Sequence, residues 1–306
     1  MRKELLGNLL GLATITIWGS TYIVSKMVLE TYMPTQVLLM RFLMAAVVLT
    51  IIYPKFEKFK DLRHELLLVA AAVCLSGYFL CENTALTKTY ATNVSLIVAT
   101  MPIISLILTG IVDKVNHWNK NVIVGFIIAY TGVVIIVIGG ESGSSIKIIG
   151  DGIALLAAMC FAFYSLILSK INSEMNTIRL TRNIFYYVVV IIFLANLVKG
   201  NLKPEVFPLE KLLDPPMAMG LLFLGVMASS LSFMMWNQSI KYIGGMRTSK
   251  YVYFGPVITA IIAAIYLNES ITMTIIIGAV LIIGGVYLSE RKVSNKKDQN
   301  SVKEIV

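Results

Sequence analysis

The stretch YFLCENTALTKTYATNVSLIVATMPIISL, Tyr78–Leu106, decides how the rest of this chain is read. It is an apolar run interrupted by one acid, Glu82, then a short polar turn, then a second apolar run containing Pro102. The same arrangement returns in Ser232–Leu267, SFMMWNQSIKYIGGMRTSKYVYFGPVITAIIAAIYL. Asn83 falls on Asn237, Ser95 on Ser249 and Pro102 on Pro256, with one constant offset and no gap. A membrane hairpin written twice predicts two halves built around one cavity.

Composition sets the solvent. The chain is 57% hydrophobic and 14% charged, with a mean hydropathy of +0.80. Soluble domains hold roughly half apolar and a quarter charged residues. Apolar segments long enough to cross a hydrocarbon core of roughly 30 Å recur along the sequence. The expected fold is an all-α polytopic membrane protein.

Ten spans give the simplest division: 5–28, 34–53, 66–87, 91–112, 121–139, 150–170, 181–198, 217–241, 247–267 and 272–289. A polar, charged tail, 290–306, is expected to follow them. Met1-Arg2-Lys3 ahead of an apolar run resembles the start of a signal peptide. No small-residue cleavage site follows, so an uncleaved first span is expected.

Lys and Arg set the orientation. If the N-terminus is cytoplasmic, nineteen of the 26 basic residues lie on that side, six lie opposite, and Arg41 sits inside a span. Both termini are therefore expected in the cytoplasm of a plasma-membrane protein. The same bias accounts for the net charge of +9 without any nucleic-acid partner.

The repeat extends through both halves. GNLLGLATITIWGSTY from Gly7 lies over GDGIALLAAMCFAFYS from Gly150, and Gly125 and Gly132 pair with Gly278 and Gly285. The halves are residues 5–139 and 150–289, of five spans each. An odd number of spans forces the two halves into opposite orientations. Inverted repeats of this kind mark transporters with a midplane site at the repeat interface.

These residues resemble the drug/metabolite transporter superfamily, in its ten-helix form with two EamA-type domains. The resemblance rests on Trp18-Gly19-Ser20, Arg41-Phe42, Ala85-Leu86, Ser95, Pro102, Pro256 and Leu267-Asn268-Glu269, and it covers about residues 7–290. Asp113-Lys114 in place of Asn268-Glu269, the lack of a Trp-Gly in span six, and Lys250 depart from it. The resemblance implies a secondary carrier of small metabolites, often an exporter of amino acids or related compounds.

Glu82 is the leading candidate for chemistry. Acids inside spans are costly and usually face a cavity or a partner, so Glu82 suits a proton carrier or an anchor for a cationic substrate. Arg41 lies at a compatible depth, and a pair with Glu82 would serve as a gate latch or a packing bridge. Pro102 and Pro256 each remove a backbone donor inside a span, which makes symmetric pivots. Trp18, Tyr22, Tyr78, Trp236 and Tyr253 are candidate aromatic contacts for a ring or an amine. Asn83 and Asn237 serve either as interhelical glue or as substrate donors. Lys250 either snorkels to the interface or attracts an anionic group.

Other chemistries find no support. Gly139-Gly140-Glu141-Ser142-Gly143 lacks P-loop spacing and strand context. Cys74, Cys81 and Cys160 show no metal-ligand spacing, and His64 and His117 fall in loops. No catalytic set, metal or cofactor is expected. The expected partners are a small-molecule substrate, the lipid bilayer and, as coupling ion, a proton. The competing reading is a membrane scaffold or receptor without transport.

Overall fold

The computed structural model describes residues 2–55, 61–112, 120–139, 145–171, 176–243, 248 and 250–290. Asp113, Arg247 and the polar tail lie outside the described residues, as does the Lys250 side chain. The described residues are helical and contain no strand. Spans one to three are α1 (Arg2–Val28), α2 (Pro34–Ile52) and α3 (Leu62–Leu86). Span four is broken into α4 (Ala91–Val98) and α5 (Met101–Val112). Spans five to seven are α6 (Lys120–Gly139), α7 (Ser145–Lys170) and α8 (Thr177–Lys199). Span eight joins α9 (Pro215–Leu222), a π-helical segment (Phe223–Leu231) and α10 (Ser232–Ile243). Span nine is a 3-10 turn (Lys250–Phe254) followed by α11 (Gly255–Tyr266), and span ten is α12 (Met273–Glu290). Six of these spans are long and apolar enough to cross a membrane by composition alone, and spans five, nine and ten are shorter apolar helices.

The spans alternate in direction, so one face carries the start of α1 and the opposite face the loop between α1 and α2. These are called the terminal face and the far face. Packing follows a two-fold pattern. Span one packs on spans eight and nine, and span six packs on spans three and four in the same way. Spans two and seven, four and nine, and five and ten pair with each other. Each element thus meets the partner that inversion of the halves assigns to it.

The closest of these contacts is between α6 and α12. A side chain at Gly285 would sit 2.5 Å from the Gly125 carbonyl, and one at Gly132 would sit 2.7 Å from the Gly278 carbonyl. Helices in lipid gain little from hydrophobic exclusion and associate through backbone approach at small residues. The four glycines matched by the repeat are the four that cross. Gly7 and Gly11 act similarly for span one, against Ile243 and Tyr251.

The two breaks also correspond. Pro102 opens α5 directly after the turn at Ala99–Thr100, and Pro256 opens α11 after its 3-10 turn. Proline fits the first turn of a helix, where its missing N–H has no intrahelical acceptor to lose. The prolines therefore start new helical segments rather than kinking continuous ones.

Candidate functional site

A cavity of about 640 Å³ lies between the halves. Its wall is drawn from matched positions: Trp18 and Phe161, Tyr22 and Ser165, Phe79 and Phe233, Glu82 and Trp236, Pro102 and Pro256. The cavity straddles the pseudo-two-fold. Its lining runs from Glu82, Tyr78, Tyr22 and Arg41 down to Leu168, Thr177 and Ile240, near the terminal-face ends of spans six, seven and eight.

Eight of the 30 lining residues are aromatic. Trp18 packs on Trp236 at 5.3 Å and on Phe233 at 5.4 Å between ring centroids. Opposite them, Tyr78 meets Phe161 at 5.2 Å, and Phe161 meets Tyr164 at 5.5 Å. The Trp18 indole is fixed because its Nε1–H donates to the Ala228 carbonyl at 3.1 Å. That carbonyl belongs to the π segment, a widened turn of the kind often found at functional sites. Ser230 and Ser232 hydroxyls donate to the Gly225 and Met227 carbonyls, at 3.0 and 2.8 Å, and satisfy acceptors within that turn.

The two charged residues of the lining, Arg41 and Glu82, sit at the far end of the cavity. Glu82 is 3% exposed and accepts the Tyr78 hydroxyl, one turn back on α3. Arg41 is also 3% exposed. Its Nε donates to Ser229 Oγ at 2.7 Å, its guanidinium lies over the Phe79 ring at 4.4 Å, and its Nη1 is buried with no partner. Arg41 and Glu82 share this end of the cavity but form no ion pair or hydrogen bond with each other.

Of the candidate residues, Glu82, Trp18, Tyr22, Tyr78, Trp236, Asn237, Arg41, Pro102 and Pro256 line the cavity. Asn83 and Tyr253 do not. Asn83 is fully buried on α3, with neither amide atom bonded. Tyr253 turns towards Tyr287 of span ten, at 6.3 Å between ring centroids. Asn83 and Asn237 occupy matched positions yet differ in environment: Trp236 and Asn237 both line the cavity, whereas on α3 Glu82 lines it and Asn83 does not.

Residues far apart in the chain close the far face. Lys26 Nζ meets Glu269 Oε1 at 2.9 Å and the Thr89 carbonyl at 3.0 Å. The Glu269 carboxylate accepts the Ala91 and Thr92 N–H groups at 2.7 and 3.1 Å, and the Thr92 hydroxyl at 2.9 Å. A carboxylate at a helix N-terminus meets unpaired amides and the positive end of the helix dipole, and α4 has no side-chain cap of its own. Asn268 enables this by adopting a left-handed conformation, φ 52°, just past α11; asparagine tolerates that region better than most residues. Asp151 on α7 accepts the Thr89 hydroxyl at 2.7 Å and the Asn93 amide at 3.3 Å. Spans one, three, four, six and nine are thus tied together across the far face.

Two copies of one family pattern cover almost the whole chain: the EamA-like transporter family matches residues 5–138 and 148–291. The chain belongs to that family. It is 28% identical to an uncharacterized transporter of Archaeoglobus fulgidus, over 93% of this chain and 97% of the relative. It is 27% identical to the uncharacterized transporter YyaM of Bacillus subtilis strain 168, over 96% of this chain and 97% of that one. A solved crystal structure shares the fold with a TM-score of 0.62 at 16% identity, over 93% of this chain and 98% of its own.

Proposed function

We propose that this protein is a secondary transporter that exports small amphipathic metabolites, amino acids or organic amines, by alternating access. One observation carries the reading: a cavity rich in aromatic side chains straddles the pseudo-two-fold, reaches towards the terminal face and is tied shut at the far face. Exchange of the two inverted halves' conformations gives the opposite state. The basic bias of the terminal face supports its placement in the cytoplasm of a plasma-membrane protein, which makes the cavity inward-facing.

In this reading the aromatic wall holds the apolar body and the amine of the cargo. Glu82 is the proton carrier, switching its bond with Tyr78 as it gains and loses a proton. Purified protein in liposomes tests both points. A panel of amino acids and amines should cross under a pH gradient, and Glu82→Gln should abolish the dependence on that gradient. Unchanged transport and unchanged pH dependence in Glu82→Gln would remove Glu82 from the mechanism. Absence of flux for the whole panel would favour a scaffold or receptor.

A further inference from the structure

Among the described residues lining the cavity, Arg41 is the one Lys or Arg and Glu82 the one acid. They are equally buried but differently satisfied. Glu82 has the Tyr78 hydroxyl. Arg41 has a single hydrogen bond, through Nε to Ser229, and a buried Nη1 with none. A buried cation left partly unpaired is expensive, because desolvation is not repaid by partners. A guanidinium also cannot escape by losing its proton. The cost is offset once an anion enters.

Two contacts hold the guanidinium in place. Ser229 holds Nε from the π segment, and Phe79 supports the plane from one side. What remains is a planar fork of N–H donors, the geometry that matches a carboxylate with two parallel bonds. Glu82 shares this end of the cavity, and its negative charge opposes a dianion beside it. A singly charged carboxylate therefore fits better than a phosphate monoester.

We infer that Arg41 is the anion subsite of the cavity and takes the carboxylate of a substrate whose apolar body lies along Trp18, Trp236 and Phe161. This rests on the transport reading only in taking the cavity as the substrate site. It narrows the cargo to molecules with a carboxylate, and it excludes simple amines. It also makes Arg41 a binding residue, where a gate latch or packing bridge with Glu82 was the expectation from sequence.

The test compares amino acids with their amides and their decarboxylated amines, using thermal shift and titration calorimetry on the purified wild-type protein. Acids should bind about tenfold or more tightly than the matched amides, the size of one charge-assisted hydrogen bond. Arg41→Gln should bring that ratio close to one. Trp18→Ala should weaken acid and amide together and keep the ratio. Ser229→Ala, which leaves the guanidinium in place but unfixed, should give an intermediate ratio. The wild-type comparison stands even if a variant fails to fold.

A ratio at or below one in the wild type, or a ratio retained in Arg41→Gln, overturns the proposal. Running each titration with chloride and with methanesulfonate identifies an inorganic-anion site. Stabilisation by chloride, with no advantage of acids over amides, also overturns it. If amides bind and cross membranes while acids do not, the subsite fails and transport stands. If neither class binds or crosses, both readings fall.

Discussion

At the far face, Lys26 meets Glu269 at 2.9 Å, and Asp151 takes the hydroxyl of Thr89 and the amide of Asn93. At the terminal face, the positions matched by the repeat are Ser169 for Lys26 and Asn8 for Asp151. Ser169 bonds only back to its own helix, at the Leu166 carbonyl. Asn8 accepts the Tyr251 hydroxyl at 2.9 Å, and Ser239 donates to the Gly7 carbonyl at 2.8 Å. At these matched positions one face is closed with charge and its counterpart with neutral groups, while elsewhere on the terminal face Arg182 donates to the Tyr53 and Lys55 carbonyls and Glu65 accepts the Tyr187 hydroxyl. Glu269 is 5% exposed at its side chain, so its pair gains from a weak dielectric that a surface pair would lack. At the positions matched by the repeat the far face is the more strongly tied, in keeping with a cavity whose lining extends towards the terminal face.

Substitutions that level the two faces test this contrast. Glu269→Gln should have the largest effect, since it removes the ion pair and weakens three hydrogen bonds at once. A loss of about 3 kcal/mol is expected, read as thermal unfolding in detergent. The same change should expose a cysteine placed at Ser95 to impermeant thiol reagents from the far side, in a background lacking the native cysteines. Lys26→Met leaves Glu269 its bonds to Ala91 and Thr92, so it should cost roughly 2 kcal/mol and give partial labelling. Asp151→Asn gives the far face the residue type of Asn8, and should cost about 1 kcal/mol. Ser239→Ala at the terminal face should cost about 1 kcal/mol or less and leave far-face labelling unchanged. If Ser239→Ala matched Lys26→Met, the two seals would be equal and the contrast would fail.

The fold was legible because its determinants are local and periodic. Long apolar runs, their turns and the doubled hairpin around Glu82 and Pro102 define the ten spans. The aromatic wall was also legible in part, since Trp18, Tyr78 and Trp236 stand out in apolar runs. What the sequence concealed was pairing between distant positions. Lys26 counted only as one more basic residue opposite the cytoplasm, and Glu269 only as part of a family resemblance. Nothing local links a lysine near the end of α1 to an acid placed by the left-handed Asn268. Arg41 was matched with Glu82 by depth alone; its actual partner is Ser229. That partner sits on a π segment whose counterpart in span three is ordinary α-helix, so the repeat itself argued against finding it. That Asn83 lies off the cavity was hidden for a simpler reason. Depth does not say which side of a helix faces a cavity.

The glycine crossing of α6 and α12 has a further consequence. Gly125 against Gly285 and Gly132 against Gly278 are one contact used twice, which is the geometry of an isologous dimer interface folded into a single chain. Such an interface is complementary to itself, so the covalent link between the halves supplies proximity rather than shape. Residues near the axis travel least when the halves exchange conformations. Under the proposed alternating access the crossing is the axle of the molecule: a tether there should be tolerated during turnover, whereas the same tether between Lys26 and Glu269 should stop it.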